Sequence, residues 1–177
     1  MINIFKESKN LYFEPLEEKH LSEDYISWLN DEEVTKFNSH GIYPNTFFKT
    51  KEYINCIQND SSKIVLAIIE KTTSKHIGNI SIQSINFINS NADIAILLGD
   101  KSCWGKGYAT EGFSIMIDHC FNKLNLHKVT AGTTSDNIAM QKVLIKLNMI
   151  QEATLKDAVK RNNKFLDIYT YRLINNE

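Results

Sequence analysis

The stretch that decides how this chain folds runs from Asp100 to Glu111 and reads DKSCWGKGYATE. The apolar run Ile94–Gly99 before it is typical of a buried strand that ends at a turn. From about Gly107 onward, apolar side chains recur at intervals that line one face of a helix. These are Ala109, Phe113, Met116, Ile117, Cys120, Phe121 and Leu124. The sequence therefore predicts a strand, a glycine-containing loop and the N-terminus of a helix in succession.

This loop has the chemistry of an anion-binding site. The first turn of a helix carries backbone N–H groups without partners, and the helix dipole places about half a positive charge there. Gly105 and Gly107 have no Cβ, so the loop can bring its N–H groups against a bulky anion, and Lys106 adds a positive charge. We therefore expect a phosphate or diphosphate ligand, although an ordinary strand–helix turn would show the same glycines.

Two common phosphate-binding motifs do not fit the loop. In the dinucleotide-binding pattern G-x-G-x-x-G the third glycine would fall at Thr110, and no acidic residue ends a second strand about twenty residues later. A Walker loop requires Ser or Thr after its Gly-Lys pair, where this chain has Gly107. Both motifs are therefore excluded.

The loop resembles the acyl-CoA loop of the GNAT superfamily of N-acyltransferases. The motif of that family is Q/R-x-x-G-x-G/A, and the corresponding residues here run from Ser102 to Gly107, with Ser102 in place of Gln or Arg. The string from Trp104 to Glu111 is similar to the Trp-Gly-Lys-Gly-Tyr-Ala-Thr-Glu of one branch. That branch includes ribosomal-protein N-terminal acetyltransferases and amino-sugar acetyltransferases.

Composition limits the class of protein. The chain has 177 residues, which favours one domain, 1–177, and its 42% hydrophobic and 23% charged residues are typical of a globular protein. A net charge of −1 gives no general field for nucleic acid or an anionic membrane, so we expect neither partner. Residues Met1–Asn10 lack a signal-peptide pattern, and three widely spaced cysteines favour reduced thiols, so we expect a cytoplasmic protein.

Before the loop, the patterns predict one strand, three helices and two further strands. The predicted segments are strand Leu11–Leu16, helices Glu18–Leu29 and Glu32–Phe37, loop His40–Asn45, a helix capped by Thr46 that ends near Asn59, and strands Ile64–Ile69 and Ile77–Gln83. Turns are expected at Thr72–Lys75 and Asn86–Asn91. Because Ile64–Ile69 is apolar without interruption, we expect it to be central and covered on both faces.

After the helix that follows the loop, the chain is predicted to end in a strand, a helix and a hairpin. The predicted segments are strand Lys128–Thr134, a helix from about Asn137 capped by Ser135 or Asp136, and strands Ile150–Lys156 and Phe165–Leu173 joined by loop Asp157–Lys164. The fold class is therefore a single α/β (α+β) domain. The element order is similar to the GNAT fold, which implies a mixed, mostly antiparallel sheet flanked by helices, with splayed central strands.

The resemblance also implies an enzyme with acetyl-CoA as cosubstrate. In such folds the pantetheine arm bonds to main-chain groups of the strand before the loop, here Ile96, Leu97 and Leu98. The diphosphate would lie on the loop and first helical turn, and the Asn137 side chain would bond the pantetheine. The diphosphate residues are Trp104, Gly105, Lys106, Gly107, Tyr108, Ala109 and Thr110. The family's later Lys is present as Lys146, whereas Asn148 and Met149 replace its Gly-Phe pair.

The implied reaction is the direct attack of a primary amine on the thioester in a ternary complex. The Leu98 N–H would polarise the thioester carbonyl, and Asp93, at an acidic position of the branch, is the candidate base. A solvated turn carboxylate is the alternative for Asp93. Glu111 is interpreted as compensation of the helix dipole. The Tyr that many relatives use as the acid is replaced by Leu144, so solvent would protonate the leaving thiolate.

The acceptor is open at this stage. His40 and Tyr43, in a loop with Gly and Pro, are candidate acceptor contacts, whereas the spacing of Trp28 places it in the core. Lys160, Arg161 and Lys164 could serve an amino sugar or sugar nucleotide, which we favour slightly over a protein N-terminus. A non-catalytic acyl-CoA-binding module is the alternative of another class, and a homodimer is left open.

The five histidines show no metal-ligand spacing, so no metal is expected. His119, on the predicted long helix, is interpreted as a surface residue.

Overall fold

Eight strands make one mixed sheet in residues 3–176, the part of the chain that the computed structural model describes. The strands are β1 (Lys6–Glu7), β2 (Leu11–Pro15), β3 (Ile64–Glu70), β4 (Lys75–Asn86), β5 (Asn91–Leu98), β6 (Lys128–Thr134), β7 (Ile150–Arg161) and β8 (Lys164–Ile174). Their order is β1-β2-β3-β4-β5-β6-β8-β7, with β5 and β6 parallel and the other pairs antiparallel. Met1, Ile2 and Glu177, the ends of the predicted domain, lie outside the described residues.

Helices cover both faces of this sheet. They are α1 (Glu23–Asn30), α2 (Phe47–Ile57), α3 (Tyr108–Asn122) and α4 (Ile138–Lys146). Leu66 and Ile68 of β3 pack in the cluster that contains the buried side chains of α3 and α4, whereas Ala67 and Ile69 pack in the cluster of α1 and α2. The predicted central position of this apolar run is confirmed, because successive side chains of a strand point to opposite faces. Full burial of each large apolar side chain contributes about 1.5–3 kcal/mol.

The segment between β2 and α2 differs from the prediction. The predicted helix Glu18–Leu29 is a 3₁₀ turn, Glu18–His20, followed by α1, because the Ser22 side chain accepts a hydrogen bond from Tyr25 N–H and caps α1 there. The predicted helix Glu32–Phe37 is wrong. The Asp31 Oδ1 atom accepts from the N–H groups of Glu33 and Val34 as at a helix N-cap, and Thr35 N–H donates to the Asp31 carbonyl, but the chain then continues in turns and not in a helix.

The last hairpin is also tighter than predicted. The loop expected over Asp157–Lys164 is a turn at Asn162 and Asn163, both with positive φ, and β7 continues to Arg161. Asp157, with φ 50°, lies where the register shifts between Leu155 and Val159, so the predicted break is a bulge within the strand.

Two further predictions need correction. The cap of α4 is Asn137 itself, whose Oδ1 accepts from Met140 N–H, and not Ser135 or Asp136. His119 is not a surface residue: its side chain is buried, and the Phe5 ring packs edge-on against it at 5.1 Å between centroids.

The central strands separate as the resemblance implies. β5 and β6 pair only from Asn91 and Lys128 to Asp93 and Thr130, while β5 stays paired with β4 as far as Leu98. The second half of β5 therefore has an open edge on the side of β6, and this edge leads toward the N-terminus of α3.

Candidate active site

The loop between β5 and α3 presents an uncapped helix N-terminus. Gly107 is the N-cap residue of α3, with φ 85° and no side chain to accept from the first turn, and Gly105 has φ 74°. A Cβ added to either glycine would meet no atom of residues 3–176 within 4 Å. Both glycines are therefore needed for their left-handed backbone and not because of protein neighbours. The space in front of these N–H groups is free for an anion.

The start of the loop is fixed by polar contacts. Asp100 Oδ1 accepts from the Ser102 N–H at 2.9 Å and from the Ser102 hydroxyl at 2.7 Å. The residue that replaces the family's Gln or Arg is therefore part of a short capped turn, Lys101–Cys103. The Trp104 indole N–H donates to the Leu98 carbonyl at 2.9 Å, which ties the loop to the end of β5.

A carboxylate lies behind the loop. Glu70 is 6% exposed and accepts from the Tyr108 hydroxyl at 2.7 Å and from Thr73 at 2.8 Å, with Lys106 Nζ 3.4 Å from its Oε1 atom. The hydrogen bonds from Tyr108 and Thr73 hold the pKa of Glu70 below its ordinary value, and its bond raises the pKa of Tyr108 to about 12. Glu70 is therefore ionised and Tyr108 neutral at physiological pH.

A cavity of about 460 Å³ continues from the loop along the outer face of α3. Gly107, Thr110 and Ser114 line one side of it, and Lys9 and Lys146 supply two cations. Glu111 also borders the cavity, but its carboxylate accepts from the N–H and the side chain of Asn10 and from Ser8. It therefore joins the turn between β1 and β2 to α3, a contact beyond the predicted compensation of the helix dipole.

The open edge of β5 offers main-chain groups to a ligand. Gly99 N–H donates to the Ile77 carbonyl of β4 at 2.9 Å, and alternation along the strand then turns the main-chain groups of Ile96 and Leu98 away from β4. Within residues 3–176 these N–H groups face no paired strand. Leu97 directs its main-chain groups to β4, so the ligand bond predicted for it has no free group.

Asp93 lies where β5 and β6 separate. Its Oδ1 atom accepts from the Thr130 hydroxyl at 2.9 Å. Burial raises the pKa of Asp93 above its ordinary value, and the hydrogen bond from Thr130 opposes that rise. The side chain lies on the face of β5 that carries Ala95 and Leu97, and Leu97 packs in the cluster of α1 and α2. A half-buried carboxylate with a raised pKa at the apex of a cleft is suited to accept a proton.

The candidates on α4 have structural partners. The Asn137 side chain caps the helix, and its amide nitrogen has no hydrogen bond to residues 3–176. Leu144, at the position of the family's Tyr, is fully buried in the core. No described side chain on α4 therefore takes the place of the expected acid.

The predicted acceptor contacts lie in the loop between α1 and α2. His40 begins a 3₁₀ turn that ends at Ile42, and Tyr43 is 75% exposed. The Asn45 side chain bonds the carbonyls of both residues. Within residues 3–176, neither side chain is hydrogen-bonded to Asp93 or to the anion-binding loop. Trp28 is buried against Gly99 and His76, so its predicted core position is confirmed.

Residues from distant parts of the chain meet beside this acceptor loop. Arg161, at the tip of the last hairpin, bonds the Asp136 carboxylate at 3.1 Å and lies over the Phe37 ring at 5.4 Å from its centroid. The sequence reasoning missed this contact, as it missed Glu70 and Thr130. Glu70 had one signal, a charged residue that directly follows an apolar strand.

The described residues offer neither a cluster of metal ligands nor a membrane-spanning helix. Among residues 3–176, no three His, Cys, Asp or Glu side chains are grouped as metal ligands would be. No helix in that range is both long and apolar enough to cross a bilayer.

An open strand edge that leads to an uncapped helix N-terminus suits an acyl-CoA ligand, which has an extended polar arm and a diphosphate. Residues 10–150 match the acetyltransferase (GNAT) domain family, so this chain belongs to that family of acetyl-CoA-dependent N-acyltransferases. The predicted family and enzyme class are confirmed.

Individual relatives agree with this assignment. The uncharacterized N-acetyltransferase p20 of Bacillus licheniformis is 31% identical over 152 residues, which are 84% of each chain. The crystal structure of spermidine N-acetyltransferase from Vibrio cholerae in complex with CoA and spermine has a TM-score of 0.85 at 20% identity, over 94% of this chain and 96% of that one. A dodecameric structure of the Vibrio cholerae enzyme has a TM-score of 0.78 at 21% identity, over 94% and 95%. These likenesses confirm the predicted fold.

Proposed function

We propose that this chain transfers the acetyl group of acetyl-CoA to a small primary amine by direct attack in a ternary complex. One observation carries the proposal: the open edge of β5 begins at the half-buried Asp93 and ends at the uncapped N-terminus of α3. This arrangement suits an extended cosubstrate with a reactive carbonyl at one end of a polar arm and a diphosphate at the other.

The residues of the site divide into two groups. The N–H groups at the start of α3 and Lys106 would hold the diphosphate, and Lys9 and Lys146 would face the nucleotide end in the adjoining cavity. Main-chain groups of Ile96 and Leu98 would hold the pantetheine arm, with the free amide of Asn137 on its other side. Leu98 lies five residues from Asp93, about 17 Å along the strand, so the Leu98 N–H predicted to polarise the thioester would instead bond the arm near the diphosphate. The N–H of Ile96, which also points away from β4, would be the nearer donor to the thioester oxygen.

Asp93 would act as the base. An alkylammonium has a pKa near 10, so the acceptor must lose a proton before its nitrogen can attack. A new C–N bond then forms, the C–S bond breaks, the amine proton passes to Asp93 directly or through water, and solvent protonates the thiolate. A raised pKa makes Asp93 a better proton acceptor than an exposed carboxylate.

The acceptor is proposed only as a class. The preference for a sugar nucleotide depended on free cations in the last hairpin, but Arg161 is paired with Asp136 and Lys160 lies over the Phe165 ring. This weakens the case for a diphosphate-bearing acceptor and favours a small amine, of which an amino sugar and a polyamine are examples. His40 and Tyr43 remain candidate contacts.

Release of free thiol from acetyl-CoA tests the proposal when it is followed with a panel of acceptors. The panel contains spermidine, glucosamine, a nucleotide-linked amino sugar and a peptide with a free N-terminus. Turnover with any amine supports the proposal, and Asp93→Asn should reduce kcat at least about 100-fold, as loss of a general base does. Asp118→Asn, on the exposed side of α3, is the matched control. Binding of CoA without turnover of any amine would instead indicate a non-catalytic module.

Assembly and location complete the proposal. β7 is an edge strand with Ile150 and Leu155 both more than half exposed, and Phe165 of β8 is 60% exposed. We expect a second copy to cover this hairpin in a homodimer, because a two-fold axis can pair two identical edges. Leu155→Lys should then shift the mass in multi-angle light scattering to that of a monomer. Residues 1–177 are proposed to act as one cytoplasmic acyl-CoA domain.

A further inference from the structure

A negative charge directly behind an anion-binding loop requires an explanation. Glu70 ends β3 with its carboxylate buried, yet it lies next to Lys106, the cation of the loop. A carboxylate near the diphosphate opposes binding of that ligand by Coulomb repulsion. Glu70 also offsets the positive charge of Lys106 in the free protein, through the ion pair. If Glu70 served packing alone, an apolar residue of similar size would fill the place without this penalty.

The contacts of Glu70 show what it does for the loop. Its Oε1 atom accepts from the Tyr108 hydroxyl, and Tyr108 is the first residue of α3, adjacent to the N-cap Gly107. Its Oε2 atom accepts from Thr73 in the turn between β3 and β4. Hydrogen bonds to a carboxylate are about twice as strong as neutral ones. Glu70 therefore anchors the first residue of α3 to the rigid end of the sheet, 38 residues away in sequence.

The contact with Lys106 is of a different kind. The Nζ–Oε1 distance is 3.4 Å, and the lysine side chain is 45% exposed, whereas Tyr108 is buried. The lysine can therefore leave the carboxylate while the Tyr108 bond remains. Lys106 Nζ also lies 5.7 Å from the Tyr108 ring centroid, which keeps the ammonium close to the helix N-terminus.

We propose that Glu70 is a positioning residue for the diphosphate of acyl-CoA: it fixes α3 through Tyr108 and holds Lys106 until the diphosphate displaces the carboxylate. The two roles act in opposite directions on affinity. The anchor increases affinity, because the N–H groups of the loop are held in place before the ligand arrives. The salt bridge decreases affinity, because it must be exchanged. This inference rests on the proposed acyl-CoA site.

Two substitutions separate the roles. Glu70→Gln keeps a carbonyl oxygen for the Tyr108 hydroxyl and an amide for Thr73, but it removes the charge that competes for Lys106. Glu70→Ala removes both the charge and the anchor. Glu7→Gln is the matched control, because Glu7 is exposed and paired with Lys71, and its substitution changes the net charge by the same amount.

Calorimetric titration of the full chain with CoA gives the expected order of affinities. Glu70→Gln should bind CoA about two- to five-fold more tightly than wild type at low ionic strength, the range for partly exposed ion pairs, and this gain should shrink with added salt. Glu70→Ala should bind at least about five-fold more weakly than Glu70→Gln, which corresponds to the loss of one neutral hydrogen bond. Glu7→Gln should match wild type.

Kinetics provide a readout that a general loss of structure would not produce. The KM for acetyl-CoA should follow the order of CoA affinities, while kcat with the best amine changes less than two-fold. If Glu70→Ala does not fold in a thermal melt, Tyr108→Phe takes its place, since it removes the same bond and keeps the ring.

The outcomes are distinct. Equal affinity of Glu70→Gln and wild type, or Glu70→Ala as tight as Glu70→Gln, overturns this inference and leaves the proposed function intact. If wild type does not bind CoA at all, the proposed function fails and this inference fails with it.

Discussion

Gly107 offers the sharpest test of how the loop binds its ligand. The residue has φ 85° and ψ 3°, and a Cβ built on it meets no atom of the described part of the chain within 4 Å. Any side chain there would thus have two separate effects. It would strain the backbone of the free protein, and it would project into the space in front of the α3 N-terminus. Gly107→Ala strains the backbone more than Gly107→Asn does, whereas Gly107→Asn fills more of the space in front of the helix.

The magnitudes follow from the backbone and from the bonds at stake. Ala in the left-handed region costs about 1–2 kcal/mol, whereas Asn visits this region several times more readily. At about 2–4 °C per kcal/mol for a domain of this size, Gly107→Ala should lower Tm by about 2–8 °C and Gly107→Asn by less. In binding, loss of one hydrogen bond from the loop to a charged phosphate costs about 1.5–3 kcal/mol, or roughly 10- to 150-fold in Kd.

Stability and affinity should therefore rank the variants in opposite orders. In thermal melts, the Tm should be highest with glycine at position 107, lower with asparagine and lowest with alanine. In calorimetry, the affinity for CoA should be highest with glycine, lower with alanine and lowest with asparagine, because the bulkier side chain fills more of the ligand's space. If affinity followed stability instead, the substitutions would be acting by disturbing α3. If neither changed CoA affinity, the diphosphate would not lie at this helix N-terminus.

Three further predictions concern the catalytic end of the cleft. Burial disfavours ionised Asp93, so its pKa is higher in the folded than in the unfolded chain, and the free energy of unfolding falls as the pH rises from the unfolded-state pKa through the folded-state pKa. Asp93→Asn should therefore have a higher Tm than wild type at pH 7 while losing activity. Thr130→Val removes the donor to Asp93, raises its pKa further and should shift the acidic limb of the kcat profile to higher pH. Leu144→Tyr should not restore an acid but should destabilise the fully buried site by about 1–3 kcal/mol in denaturant unfolding.

The parts of the fold that were predicted correctly depend on local signals. The bounds of β6 match the predicted Lys128–Thr134, and Thr46 caps α2, because alternation and caps are encoded by neighbouring residues. The helix predicted over Glu32–Phe37 shows the limit of such signals. Asp31 caps the first N–H groups there, yet the chain forms turns, so a cap alone does not produce a helix.

In the candidate site, too, only the features that have a local sequence signal could be predicted. The loop from Trp104 to Gly107 could be recognised because its glycines and lysine are contiguous in sequence. Its supports could not, since the Tyr108–Glu70 and Asp93–Thr130 bonds join residues 38 and 37 positions apart. No periodicity marks such pairs, because the first depends on how α3 packs on the sheet and the second on the register between β5 and β6.

The register between strands also explains why Asp93 and the anion-binding loop can belong to one site. Asp93 pairs with Thr130 at the last bridge between β5 and β6, and the loop that leads to α3 follows the end of β5 at Leu98. At about 3.3 Å per residue, the five residues from Ile94 to Leu98 span about 17 Å of open edge. A shift of one residue in the β4–β5 register would turn the N–H groups of Ile96 and Leu98 into the sheet and leave those of Ala95 and Leu97 on the open edge instead. The pairing of Gly78 with Leu98 therefore decides which main-chain groups the cosubstrate would meet.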